Sequence, residues 1–374
     1  MRGIQRISLL RNVMVLSGAG VGGGSLVYAN TLLEPHDAFY TDPQWGSITA
    51  WKSELAPFYG VAKRMLGTAA VPEETPADRI IREVARNQGC EDTFTPTAVG
   101  VWFGKPGVEE PDPYFGGEGP TRTGCIGCGG CMVGCRHNAK NTLDKNYLFL
   151  AERLGATVQA DTEAVDVVPL DDGGYRVETR RPGAWLRKRE RSFHCRQVVF
   201  AAGALGTTRL LLRLRDRGRL RNMSPRVGHT VRTNSEAIVG ATSTSSDVDY
   251  SKGVAITSSI HPRPDTHIQP VRYPAGSNLM GLLATILVDG GGRIPRQLRF
   301  LGRIARHPLQ FLLSFSVRRW SQRTVILLVM QSLDNSLRLF LKGRSRRLTS
   351  EQDTGRPNPT YIPLANTAAR QAAA

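Results

Sequence analysis

The chain has 374 residues, 40% hydrophobic and 22% charged, which suits two or three globular domains and excludes wholesale disorder and collagen-like repetition. Its formal net charge is +17, yet 41 of the 49 cations are arginine and no RRM, zinc-finger or basic-zipper signature accompanies them. The charge is therefore not read as specific nucleic-acid binding, and no stretch approaches the roughly 18 uninterrupted apolar residues of a membrane span.

The predicted elements open with a strand at 13–16, a run of Gly18, Gly20, Gly22, Gly23, Gly24 and Ser25, and a short helix at 26–33 ended by Pro35. Those glycines also break the apolar stretch that could imitate a signal peptide, so the expected location is cytoplasmic. Residues 48–66 place Trp51, Leu55, Phe58 and Leu66 on an apolar helical face, and 77–88 form a second helix beyond Pro72 and Pro76. Irregular loops around short strands fill 93–123. A helix at 143–154 leads into strands at 157–161, 164–169, 175–180 and 191–195, in meander order with a hairpin turn at 171–174. A buried strand at 197–202 enters Gly203 and a helix at 207–216. After Pro225 the pattern is strand-rich again, with a basic helical stretch at 294–320 and a buried strand at 325–330. No internal repeat is present.

Two motifs carry chemistry. The first is the glycine run, which satisfies G-x-G-x-x-G directly after a strand. A nicotinamide fingerprint would need a longer following helix and an acidic residue about 20 positions on. Neither is present, so the glycines point to close approach of backbone to some other ligand. The second is Cys125-x2-Cys128-x2-Cys131-x3-Cys135, which has the spacing of a bacterial ferredoxin run. Arg136 stands where ferredoxins have proline, and no second run exists. An iron–sulfur cluster, a zinc ion and reduced thiols in a glycine-rich loop all remain open.

The run from Gly18 to Asn30 resembles the signature of the glucose–methanol–choline flavoprotein oxidoreductases, and Val198 to Leu212 is similar to that family's second flavin-domain motif. Segments 249–259, 276–281 and 330–335 look like its cholesterol-oxidase-like branch. The resemblance implies an α/β fold: a partial FAD-binding Rossmann-like domain plus a substrate domain built on an antiparallel sheet (α+β). It assigns 1–60 and 145–232 to FAD, and 61–144 and 233–374, with the cysteine loop 125–135, to substrate. It implies FAD contacts at Gly18, Gly20, Gly22, Gly23, Gly24, Ser25, Asn30, Val165 and Gly203, with Val165 on a strand that faces the adenine. On residue type alone, Asn30 is equally an ordinary helix-surface residue.

The family's pyrophosphate-binding unit and its catalytic histidine and asparagine have no counterpart here, so no catalytic residue is assigned. The chain is expected to be part of a longer enzyme and inactive alone. The implied substrate is a hydrophobic alcohol, above all a sterol. The alternatives are a long-chain alcohol or sugar dehydrogenase with an iron–sulfur relay, and a non-catalytic basic lipid- or polyanion-binding protein. Asp334 and Asn335 could face a substrate cavity, though a solvated strand end is the plainer reading. The seven histidines show no triad or zinc spacing. The stretch 294–320, with leucines and arginines interleaved, fits either a peripheral membrane contact or a helix with an ordinary solvated basic face.

Overall fold

A computed structural model describes residues 3–183, 189–353 and 355–374. The chain divides into two compact units. The first comprises Met1–Leu26, Glu152–Thr233 and Asp334–Asn358, and the second Val27–Ala151, Asn234–Leu333 and Pro359–Ala374. Residues 27–60 thus group with the second unit, and 334–358 with the first. Every ladder between described strands is antiparallel.

The second unit is built on a five-stranded sheet, in the order Ala237–Thr242, Thr324–Gln331, Thr266–Val271, Ser258–Arg263 and Thr95–Pro96. Thr324–Gln331 is an interior strand, and its run from Val325 to Met330 is apolar because both of its faces are buried. Val325, Leu327 and Val329 meet the helices Pro76–Asn87 and Pro363–Gln371 through Ile81, Val84, Ala365 and Ala368. Ile326 and Leu328 turn the other way, toward Ile256, Val271, Tyr273 and Trp320. Helix Pro76–Asn87 begins with a capping box, in which the Thr75 backbone N–H donates to Asp78 Oδ2 at 2.6 Å. Asp78 then reaches beyond its own helix: its Oδ1 accepts from the Thr257 and Ser258 hydroxyls, each at 2.5 Å. One short side chain therefore starts the helix and fastens it to the sheet.

The first unit is thinner. It holds the hairpin Gln5–Leu9/Met14–Gly18, a three-stranded sheet of Glu163–Pro169, Tyr175–Arg180 and Arg191–Cys195, the hairpin Leu337–Lys342/Arg347–Gln352, and the helix Gly203–Asp216. Leu212 and Leu214 bury that helix against Glu163–Pro169 and Leu337–Lys342.

Several predicted elements take another form. Residues 26–33 are not a helix: a 3-10 turn at Gly23–Leu26 gives way to extended chain, where Leu32 N–H donates to Ala98 O at 2.8 Å and Thr31 bridges Val99. Pairing with a distant strand overrides local propensity there. The predicted helix at 143–154 is broken by Asn146, whose Oδ1 accepts from Tyr147 N–H at 2.5 Å and caps the shorter helix Tyr147–Arg153. Residues 157–161 form no strand. Residues 197–202 join no strand ladder among the described residues, and Val199 is 87% exposed. A strand needs a neighbour to take its N–H and C=O groups, and apolar character alone does not supply one.

Helix Trp51–Met65 forms as the pattern predicts but buries none of its residues, and Phe58 stays exposed. The basic stretch becomes two helices, Arg296–Arg306 and Pro308–Ser314, separated at His307 by the following proline.

Candidate active site

The glycine turn follows directly from strand Met14–Gly18. A Cβ at Gly18 would stand 2.4 Å from Gly23 O, so the turn closes too tightly for any side chain there. Gly20, Gly22 and Gly23 all have positive φ. Ser25 Oγ donates to Gly22 O at 2.6 Å and fixes the loop. At Gly23, Gly24 and Gly203, by contrast, nothing lies within 4 Å of where a Cβ would be. The inner glycine lets the backbone fold on itself, and the outer ones leave it open to approach.

Val165 lies in a β-bulge, where the register against Tyr175–Arg180 shifts between Ala164 and Asp166. Its carbonyl accepts from Arg217 Nη1 at 3.3 Å. The glycine run, Val165 and Gly203 all belong to the first unit. Asn30 belongs to the second and is not a helix-surface residue. It is fully buried, with φ +59°, and among the described residues both polar atoms of its side-chain amide lack a hydrogen-bond partner. Its backbone O accepts from Gly100 N–H at 2.8 Å, and Ala29 before it packs into two apolar clusters. An unpaired buried amide costs about 1–3 kcal/mol, so this rigidly held side chain waits for a polar partner.

The four clustered cysteines do converge. Cys125, Cys128, Cys131 and Cys135 line one cavity of about 10 Å³ with His137, Lys140 and Gly253. The loop is zipped to 251–253 by Gly129 N–H to Gly253 O and Gly253 N–H to Gly127 O, both 2.8 Å. A Cβ at Gly129 would collide with Ser251 O at 2.4 Å, which is why glycine recurs here. Among the described residues, however, no group of three or more His, Cys, Asp or Glu side chains is arranged to hold a metal ion. The arrangement thus lends no support to the iron–sulfur or zinc reading. Burial pushes the Cys131 thiol up to about 12 and raises Cys125 as well, and Cys131 packs as a small apolar side chain beside Val99 and Val101. All six cysteines are free thiols. Beside them Lys140 is fully buried, donating to Tyr28 O and Cys131 O at 2.8 Å, and burial pulls it down to about 8.

Asp334 is exposed and paired with Arg232 at 2.6 Å, the solvated strand end that its position implied. The sequence pattern missed a histidine cluster. The His36 and His261 rings stand 4.8 Å apart, and His261 and His267 5.6 Å apart. Burial and the two neighbouring imidazoles take His267 down to about 4. His261 and His267 flank a tight hairpin, which is a readable signal. His36 arrives only through the fold.

No protein-family model matches the chain. Curated relatives do. A cholesterol oxidase of Mycobacterium tuberculosis (strain H37Rv) is 53% identical over 386 aligned residues, covering all of this chain and 67% of the relative. One of strain CDC 1551 aligns with the same figures. A cholesterol oxidase of Acinetobacter baumannii is 43% identical over 378 residues, covering 97% of this chain and 67% of the relative. This chain thus spans about two thirds of the length of the curated relatives it matches. Relatives named cholesterol oxidase at this identity and coverage place the chain among the oxidoreductases. Within that class, the chain belongs to the cholesterol-oxidase-like branch of the glucose–methanol–choline family.

The family implies FAD, and the residues present fit it. Open backbone at Gly23, Gly24 and Gly203, all in the first unit, admits the close approach of a flat or anionic group.

Proposed function

We propose that this chain forms part of an FAD-dependent oxidase whose substrate is the hydroxyl of a sterol. The identity of 53% across its whole length to a protein named cholesterol oxidase carries the reading. Bound FAD would supply the two-electron acceptor for oxidation of an alcohol carbon. The first unit is the cofactor side: Gly23, Gly24 and Gly203 let the backbone approach the cofactor, and Val165 offers a bulged strand edge to the adenine. The second unit is the substrate side. There Asn30 orients a polar atom of the bound partner through an amide that has no other hydrogen bond among the described residues. Rigid placement of that kind is what positioning requires.

The proposed setting is cytoplasmic, with peripheral contact to a lipid surface through helices Arg296–Arg306 and Pro308–Ser314. Leu298, Leu301, Leu309, Leu312 and Leu313 are all exposed there, and Arg303 and Arg306 stand beside them. An apolar face with adjacent cations suits an anionic bilayer and would bring the enzyme to a membrane-borne sterol.

The test is expression of the chain together with its flanking coding sequence, with flavin absorbance and peroxide release measured on cholesterol and on a long-chain alcohol. A yellow protein releasing peroxide with cholesterol is the expected result, and Asn30→Ala should lower turnover at least tenfold. A colourless protein inert to both alcohols overturns the reading. Preference for the long-chain alcohol overturns the substrate alone.

A further inference from the structure

Helix Gly203–Asp216 begins at an open glycine and ends among arginines. At its far end a cavity of about 380 Å³ is lined by Arg180, Arg213, Asp216, Arg217, Ser345 and Arg346, all within the first unit. The helix rises about 1.5 Å per residue, so this cavity lies about 20 Å along the axis from Gly203. It is distinct from the turn assigned to FAD.

Four guanidinium groups and one carboxylate face this space. Asp216 is already paired with Arg346, and Arg215 lies 4.0 Å from it. Arg180 is held by Glu163 at 3.1 Å, and Arg217 by Asp166 at 3.1 Å and by Val165 O. Arg213 alone among the lining cations has no hydrogen-bond or ion-pair partner among the described residues. Burial and the charges of Arg209, Arg180 and Arg217 depress its guanidinium, with only Glu163 opposing them. The helix C-terminus adds partial negative charge, which draws cations to this end but leaves Arg213 unmatched. A half-buried cation packed among cations costs folding free energy unless an anion completes it.

We propose that this cavity is a binding site for a polyvalent phosphate group, carried by a soluble phosphorylated metabolite or by a lipid headgroup. Arginine forks match phosphate oxygens bidentately, and the Ser345 side of the cavity offers a further polar contact. The space exceeds one phosphate, which leaves room for the moiety bearing it. The cavity is separate from the glycine turn, and one of its lining residues, Arg217, also donates to the carbonyl of Val165 on the strand assigned to the adenine.

The probe is inorganic pyrophosphate, titrated calorimetrically into the full chain in about 0.1 M salt, where diffuse attraction to a basic protein is screened. One site per chain is expected. Arg213→Glu should weaken it at least tenfold, whereas Arg64→Glu, the same charge change on the exposed helix Trp51–Met65, should leave it within twofold. Equal weakening by both variants, or no binding at this salt, would mean net-charge attraction only and would overturn the site. Arg213→Gln guards against misfolding of the charge-reversed protein: its melting temperature without ligand should equal or exceed that of the parent, and pyrophosphate should no longer raise it. A lower melting temperature with the pyrophosphate response intact would make Arg213 structural and sink the proposal. Vesicles of phosphatidylcholine with and without phosphatidic acid separate the sources. Phosphatidic-acid-dependent sedimentation lost in Arg213→Glu identifies a headgroup. Sedimentation unchanged while pyrophosphate binding is lost identifies a soluble ligand.

Discussion

The two units handle apolar surface in opposite ways. The second contains three clusters of buried residues, and its interior strand Thr324–Gln331 is covered on both faces. The first buries apolar side chains more sparsely, at Val167, Leu212, Leu214, Leu337 and Leu339, and leaves Leu9 76% exposed and Val199 more so. Its stability leans instead on ladders and on ion pairs such as Asp166 with Arg217 and Arg219. Exposed ion pairs contribute little, whereas each fully buried aliphatic side chain contributes about 1.5–3 kcal/mol. The unit with the chemistry-bearing glycines is therefore the less self-sufficient one.

Core truncation should break the symmetry most. Leu327→Ala removes a fully buried side chain from the second unit and should cost about 2–5 kcal/mol. Leu9→Ala in the first should stay within about 0.5 kcal/mol. Equal shifts in urea midpoint would erase the contrast.

Next in size is Asp78→Ala. It strips the acceptor shared by the Thr75 backbone N–H and by the Thr257 and Ser258 hydroxyls. It also leaves Arg272, almost wholly buried and hydrogen-bonded to the Thr75 and Thr257 hydroxyls, without its compensating charge. A loss of about 3 kcal/mol is expected from denaturant unfolding, because a buried cation loses its counter-charge.

Acid should weaken the second unit through its histidines. His267 takes up its proton near pH 4 when folded and near 6.5 when unfolded. Between those values the unfolded chain binds the additional proton, so stability is full above about pH 6.5 and falls as pH drops toward 4. With a partly solvated ring the loss should be about 1–3 kcal/mol. His267→Gln should flatten thermal stability across that window, and an unchanged slope would show that the cluster plays no part.

Smallest of all, Arg338→Ala in the first unit removes an ion pair with Glu351 at 2.9 Å, both partners exposed. About 0.2–1 kcal/mol is expected by double-mutant cycle with Glu351→Ala. A larger coupling would mean that the thin unit depends on surface charge more than its burial indicates.

Much of this was legible in the residues. Continuous apolar character at 325–330 marked the strand buried on two faces, and Pro76 with Asp78 marked a helix start. The glycine run and the family motifs were readable because they are local, and tight turns leave little choice of residue. What sequence pattern could not carry was set by partners far along the chain. Residues 26–33 became extended because Ala98 and Val99 offered them hydrogen bonds, and 197–202 stayed unpaired because no described neighbour did. Cysteine spacing announced a cluster, but only the fold attached the loop to 251–253 and buried Cys131 as a small apolar side chain beside Val99 and Val101. Likewise, only folding joined His36 to His261 and His267, and brought Arg346 from a distant hairpin to the arginines at the end of one helix. The sequence by itself determined which short segments turn, coil or extend, since those choices rest on local sterics and periodicity. Tertiary structure alone decided which charges and amides found partners, because hydrogen bonding and desolvation depend on neighbours that sequence distance does not reveal.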